Sequence, residues 1–242
     1  MTRSEHHSKG WMPGIALQSP FGRVLLRARL EFERLIWIGV TRSPAVAKRT
    51  LDIILSAIAL VMLAPLFLLI ALCIKIEDRG PIFFNQTRVG KYGRHFKMFK
   101  FRSMCVDAEQ RLKDLLARNQ HLEGVTFKLK DDPRITRIGR ILRKLSFDEL
   151  PQFYNVLRGD MTLVGPRPPV PREVAKYTVS DHRRLAAHPG ITCIWQISGR
   201  AEIDFSGQVK LDVEYIERQS IWLDLQILAK TIPAVCSAKG AC

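Results

Sequence analysis

Acidic residues and organised cysteines are both scarce in this chain. Its five cysteines (Cys73, Cys105, Cys193, Cys236, Cys242) are odd in number, widely spaced and nowhere form C-x-x-C. Neither a disulfide framework nor a zinc site is indicated, and a reducing compartment fits best. There is no G-x-x-x-x-G-K-S/T, no G-x-G-x-x-G after a strand, no H-E-x-x-H and no G-x-S-x-G, so ATP hydrolysis, dinucleotide redox chemistry and serine hydrolysis lack support. Internal repeats and low-complexity tracts are absent too. The first ~20 residues are polar and lack the apolar core and small-residue cleavage site of a secretory signal, and they read as a mobile tail. With 23 Asp and Glu against 38 Lys and Arg, the formal charge is +15. Such an excess favours an anionic partner, whether nucleic acid, a membrane surface or a phosphorylated substrate, without choosing among them. The 242 residues allow one domain plus an anchor, or at most two small domains.

What is present is a long apolar run. Ile53 to Ile74 holds 22 residues without a charge, interrupted only by Ser56 and Pro65, enough for a helix to cross a ~30 Å hydrocarbon core. The flanks argue against a simple crossing. Residues 23–49 carry seven Arg or Lys and two acids, and residues 75–104 carry eight and two, so both ends look cytoplasmic by the positive-inside rule. Pro65 removes the hydrogen bond to the Val61 carbonyl and predicts a kink. Twelve residues precede it and nine follow, and arms of ~14 to 18 Å reach mid-bilayer and return. A re-entrant hairpin accounts for both flanks, with an ordinary kinked span as the alternative.

Beyond Gly80 and Pro81, Ile82–Gln86 and His95–Arg102 predict a hairpin around Gly90-Lys91-Tyr92-Gly93. Spacing predicts an amphipathic helix over Val106–His121 and a short basic helix whose apolar face is Ile135, Ile138, Ile141, Leu142 and Leu145. Further helices are expected near 172–187, 206–220 and 222–232, and a short strand over Ile191–Ile197. Trp222, Leu223, Leu225, Ile227 and Leu228 form a stripe suited to the membrane interface or to packing under the domain. The expected fold is α+β and mostly helical: a proline-broken re-entrant helix, then a cytoplasmic domain with a small β-hairpin and amphipathic interfacial helices. Residues 1–47 form a mobile basic region, 48–78 the membrane hairpin and 79–242 the catalytic domain.

The segment Arg143 to Gln152 is the most informative for chemistry. Ser146 and Glu149 are spaced as a capping box, which places Asp148 in the first turn of a new helix. Asp148 and Glu149 could simply complement a helix dipole. Their place just beyond a cluster of arginines and soon after a membrane anchor favours a working role. A carboxylate at a positive helix end near Arg143 is expected to keep a low pKa and stay ionised, as a metal ligand or a nucleophile must. Two adjacent carboxylates call for a hard cation, and Mg²⁺, which combines carboxylates with substrate phosphates, is the natural one. Downstream, prolines flanking Arg167 hold its backbone extended and aim one guanidinium, a group suited to phosphate. Arg200 follows a flexible glycine, and Lys100 and Arg102 lie on one face of a strand. Four basic groups, Lys100, Arg102, Arg167 and Arg200, are expected to converge on phosphate.

Taken in order, Lys48-Arg49-x-Leu51-Asp52, Lys100 to Met104, Asp132 to Thr136, Leu145 to Gln152, Gly159-Asp160-Met161, Gly165 to Pro168, Pro189 to Thr192 and Trp195 to Arg200 resemble the bacterial sugar transferases. These are monotopic phosphoglycosyl transferases that start lipid-linked glycan assembly. The resemblance covers about residues 48–240, and its closing Thr231 to Cys236 is nearest to members that initiate exopolysaccharide with galactose-1-phosphate. It implies transfer of a sugar-1-phosphate from a UDP-sugar to undecaprenyl phosphate with release of UMP, at the cytoplasmic face of the inner membrane. It further implies Asp148 as nucleophile and Glu149 as support for Mg²⁺, with Lys100, Arg102, Arg143, Arg167 and Arg200 toward substrate and phosphate, and no nucleic-acid partner. Relatives make a homodimer reasonable. Two departures stand out: Ala64-Pro65 replaces the family's frequent Ser-Pro at the helix break, and Ala201 stands where many members carry Asn. A competing reading from another class is a basic membrane adaptor without enzymatic activity, binding anionic lipid or nucleic acid.

Overall fold

A computed structural model of the chain describes residues 20–108, 110–111, 132–199 and 203–236. It divides into two units at Ala47 and Lys48. Helix α1 is Pro20–Met62. In the first unit, residues 20–47 are helical and expose Val24, Leu26, Leu30 and Phe32. The second unit continues with α2 (Ala64–Asp78), β1 (Phe83–Val89), β2 (His95–Phe101), α3 (Arg137–Lys144) and α4 (Gln152–Arg158). Then come β3 (Thr162–Val164), α5 (Pro171–Val174), β4 (Gly190–Thr192), α6 (Ile194–Ser198), α7 (Phe205–Arg218) and α8 (Ile221–Cys236). The fold is mostly helical, with an antiparallel β1–β2 hairpin and a parallel β3–β4 pair.

The apolar run is broken where proline predicts. Leu63 separates α1 from α2, and the segments Pro44–Met62 and Ala64–Asp78 meet at a bend of 58°. Pro65 lies in the first turn of α2, a place that tolerates its missing N–H, so a new helix starts there instead of the old one continuing. No helix among the described residues is long and apolar enough to cross a membrane alone.

Three side chains at the start of this run fasten it to the domain. Asp52 is buried, and its carboxylate accepts from Thr162 Oγ1 at 2.6 Å and Leu163 N at 3.1 Å. Lys48 reaches Asp224 Oδ2 at 2.5 Å and the Val164 carbonyl at 3.2 Å. Arg49 donates to the last-turn carbonyls of α4, Val156 at 2.7 Å and Leu157 at 3.0 Å, beside the Gly159 N–H that also bonds Val156 O. Beside Lys48, the Tyr215 hydroxyl lies 2.6 Å from Asp224 Oδ1.

The predicted hairpin forms, its first strand running on past Gln86 to Val89, with Phe83 pairing with Phe101 and Val89 with His95. Its turn takes Tyr92 and Gly93 through positive φ, 55° and 81°, which the glycine adopts at no steric cost. The two faces of the hairpin do different work. Phe96 and Met98 join the main core with Val156, Met161, Leu163, Val164, Tyr215 and Ile227, while Phe101 packs on the other side with Ile70, Ile74 and Leu142. The side chain of Asn155 on α4, fully buried, extends β2 like a further strand: its Oδ1 accepts from Phe99 N at 2.9 Å and its Nδ2 donates to the Lys97 carbonyl at 2.8 Å.

Several local expectations are corrected. Residues 191–197 are not one strand; β4 stops at Thr192 because its partner β3 offers only three residues, and the chain closes its own hydrogen bonds as α6. The single helix expected over 172–187 is two pieces, α5 and a 3-10 turn at Asp181–Ala186, parted where Thr178 N and Oγ1 both bond Asp181 Oδ2 at 2.9 and 2.8 Å. Ile135 leaves the predicted helical face to bridge Met104, and Ile141 is exposed. The stripe on α8 splits: Leu223, Ile227 and Leu228 enter the core while Trp222 and Leu225 face outward. Most of the helix expected over Val106–His121 lies outside the described residues, as does the expected tail before Pro20.

Because Asn155 satisfies two main-chain groups of β2 at once, replacing it by Ala leaves a buried donor and acceptor unpaired. Asn155→Ala is expected to destabilise the domain by about 2 to 4 kcal/mol, read as a lowered midpoint in denaturant unfolding of the purified protein.

Candidate active site

Asp148 and Glu149 lie in a 3-10 turn, Phe147–Glu149, between α3 and α4. The capping box predicted for this segment does not form. Ser146 has φ 56°, its side chain caps nothing, and α4 begins only after Pro151. Glu149 is held elsewhere: Lys100 Nζ donates to Glu149 Oε1 at 2.7 Å and stands 3.9 Å from Asp148 Oδ2. One ammonium thus serves both carboxylates. The turn is seated by Phe147 and Leu150, which pack against Ile70, Ile74, Phe101 and Leu142.

The two carboxyls are driven apart electrostatically. Asp148 is 8% exposed, and burial pushes its pKa up to about 6, against the pull of Lys100 and with the further push of Glu149. The expectation of a low pKa is therefore corrected for Asp148, because desolvation outweighs its cationic neighbours. For Glu149, burial works upward as well, but Lys100, Arg167 and Arg88 outweigh it and hold the carboxyl below its usual range. A pair so separated leaves Glu149 ionised first and Asp148 the more basic.

Lys100, Arg102, Arg143, Asp148, Glu149 and Arg167 line one open cleft. Not all of the bases there are free for an anion. Arg102 is buried and bonded to Asp78 at the end of α2, so its charge is already spoken for. Arg143 stands in the last turn of α3 and pulls the Asp148 carboxyl downward through space. Arg167 is the exposed member of a loop in which Pro166, Pro168, Pro169 and Val170 are all buried, and its guanidinium lies 5.9 Å from the Trp195 ring. Arg200 falls outside the described residues. Pro65 belongs to the helix break, away from the cleft-lining set.

Sequence reading missed Arg88 and Gln152, which share with Lys100, Glu149 and Arg167 a small recess of the cleft. Arg88 and Lys100 fall on one face of the hairpin because Arg88 pairs with Phe96 and Phe84 with Lys100. Period-2 counting from Lys100 along β2 could not reach it, since it belongs to the other strand and the register was unknown.

Asp148 and Glu149 face the cleft with Lys100 between them, and among the described residues no group of three His, Cys, Asp or Glu could hold a metal ion, so a cation held here would take most of its shell from elsewhere. Mg²⁺ binds in this sparse way, completing its shell with water and substrate phosphate.

Comparison with known proteins gives a family and several relatives. The family described as bacterial sugar transferase matches residues 43–238. A galactosyl transferase, CpsE, of Streptococcus agalactiae is 53% identical over 200 residues, 82% of this chain and 44% of that protein. An undecaprenyl-phosphate galactose phosphotransferase of Salmonella typhimurium is 44% identical over 204 residues, 83% of this chain and 42% of its own length. The exopolysaccharide production protein ExoY of Sinorhizobium fredii is 42% identical over 199 residues, 81% and 88% of the two chains. The chain thus spans less than half the length of two of these relatives and most of the third.

In metal-free protein, carboxyl ¹³C NMR is expected to show Asp148 titrating near pH 6 and Glu149 below the ordinary glutamate range. Lys100→Met removes a cation that lowers both, so each midpoint should rise, by about one to two units. An Asp148 that titrates with the exposed carboxylates would show that burial does not set its proton affinity.

Proposed function

This chain belongs to the bacterial sugar transferase family, and on that premise we propose that it transfers a hexose-1-phosphate from a UDP-sugar to undecaprenyl phosphate, releasing UMP. The observation that carries the reading is the Asp148–Glu149 pair bridged by Lys100, facing a cleft that Arg143 and Arg167 also line. At pH 7 a group with pKa about 6 is roughly nine-tenths ionised yet more basic than an ordinary carboxylate, a favourable compromise for a nucleophile.

In the first step an Asp148 carboxylate oxygen attacks the phosphorus that bears the sugar. The bond from that phosphorus to the bridging oxygen breaks, its electron pair leaves with UMP, and an aspartyl-phosphosugar remains. In the second, a phosphate oxygen of undecaprenyl phosphate attacks the same phosphorus and the carboxylate of Asp148 departs. No net proton or electron is consumed, and one site serves a soluble donor and a lipid acceptor in turn. Glu149, with Asp148 beside it, would hold Mg²⁺. When bound, the ion supplies charge neutralisation at the phosphates. Lys100 keeps Glu149 in place, and Arg167 and Arg143 present positive charge to the transferring group. Galactose is the favoured hexose by family likeness.

Support for a membrane seat comes from the bent helix pair. Its 58° bend fits a re-entrant hairpin, and Ile54, Ile58, Val61, Met62, Leu68 and Leu72 are at least half exposed on it, as lipid-facing side chains would be. Entry and return on one side leave the domain monotopic on the cytoplasmic face of the inner membrane, with Asp148 near the headgroup level of the acceptor. The exposed Trp222 and Leu225 of α8 suit the same interface.

UMP release from a panel of UDP-sugars, with Mg²⁺ and undecaprenyl phosphate, tests the reading, and UDP-galactose is expected to be turned over fastest. Asp148→Asn should lower turnover by about a thousandfold or more and abolish sugar-phosphate labelling of the protein. Undiminished turnover in that variant would remove Asp148 from the role. Anionic-lipid binding without UMP release from any UDP-sugar would return the protein to the adaptor class.

A further inference from the structure

We propose that Arg88 is a positioning residue for Arg167: by holding the Pro168 carbonyl it sets where the Arg167 guanidinium meets the nucleotide phosphate. The inference rests on the transferase reading. Arg88 is 7% exposed; its Nη1 donates to Pro168 O at 2.8 Å and its Nη2 to Gln86 Oε1 at 2.6 Å. Its Nε is buried without a hydrogen-bond partner.

The loop Gly165 to Val170 explains why such a tether matters. Pro166, Pro168 and Pro169 lack an N–H, so the loop has few donors and is fastened mainly through its carbonyls. Gly190 N donates to Pro166 O at 2.9 Å, Val89 N to Pro169 O at 2.9 Å, and Arg88 takes the carbonyl between them. Among these three tethers Arg88 alone is a side chain, and it grips the residue next to Arg167. A purely structural strut would not need a charge here. Both hydrogen-bond partners of Arg88 are neutral, and among the described residues it forms no ion pair, so burying its cation costs stability that an apolar side chain would not. Burial and the neighbouring Arg167 together lower its pKa to about 10. The recess is lined by Arg88, Lys100, Arg167 and Glu149, with Asp148 3.9 Å from Lys100 and Glu173 acting on Arg88 through space, and the exposed Arg167 is the base there best placed to meet a phosphate.

The test measures UMP affinity by isothermal titration calorimetry and steady-state constants with UDP-galactose for three variants. Arg88→Met should weaken UMP binding about tenfold or more and raise KM for the donor by a similar factor, with kcat within about threefold of the parent. Arg88→Lys keeps the charge but cannot hold both Gln86 and Pro168, and should stay closer to Arg88→Met than to the parent. Full recovery in Arg88→Lys would show that charge alone matters and overturn the positioning role, as would unchanged UMP affinity in Arg88→Met. Should Arg88→Met fail to fold by its thermal unfolding profile, Gln86→Met, which frees one branch of the fork, carries the test: a UMP affinity about threefold weaker supports the role and an unchanged one ends it. A parent protein that releases no UMP from any UDP-sugar would sink the transferase reading itself, whereas an active parent with insensitive variants would sink only the part assigned to Arg88.

Discussion

Everything at the cleft depends on one ammonium lying between two carboxylates. Asp148 and Glu149 are adjacent in a tight turn, and without a cation they could not both be ionised in so enclosed a place. Lys100 meets Glu149 at 2.7 Å and Asp148 at 3.9 Å, and the inequality matters. The nearer carboxyl is held ionised, while the farther one feels burial most and keeps a higher affinity for its proton. Arg167 and Arg88 act on Glu149 as well and widen the difference.

That ammonium can do so only if β2 and the turn keep their spacing. Asn155 supplies the clamp, since a buried amide bonded to Lys97 O and Phe99 N ties α4, which follows the Asp-Glu turn, to the strand carrying Lys100. Glycines allow the other close approach. A Cβ on Gly190 would lie 2.1 Å from Gly165 N, and one on Gly165 would lie 2.4 Å from His188 O. Only bare backbone lets the two segments pass, and their passage brings the proline loop and Arg167 to the cleft.

The bent helix pair and the chemistry meet at one strand as well. Lys100 points toward the carboxylates, and the next residue, Phe101, points into the cluster of Ile70 and Ile74 on α2, with its ring 5.0 Å from that of Phe67. Leu150 and Phe147 of the Asp-Glu turn pack on the same cluster. A shift of α2 would therefore be felt at Asp148 through contacts between neighbouring side chains.

By itself the sequence determined the local events, because each depends on a few adjacent residues: the helix break at Pro65, the hairpin around Gly90 to Gly93 and the basic helix before Asp148. Ordered motifs also made the family legible. Tertiary structure decided whatever depends on distant partners. Ser146 and Glu149 had the spacing of a capping box, yet Lys100, 49 residues away in sequence, claimed the glutamate. Arg102 had the strand position of a phosphate ligand, but Asp78 took its charge. Asp148 sat near arginines that should have kept its pKa low, and burial, which no local pattern reports, reversed the sign. Arg88 was invisible until the hairpin register placed it across from β2. Periodicity and motifs carry information over a few residues, whereas desolvation and ion pairing are settled by which remote groups fold against a site.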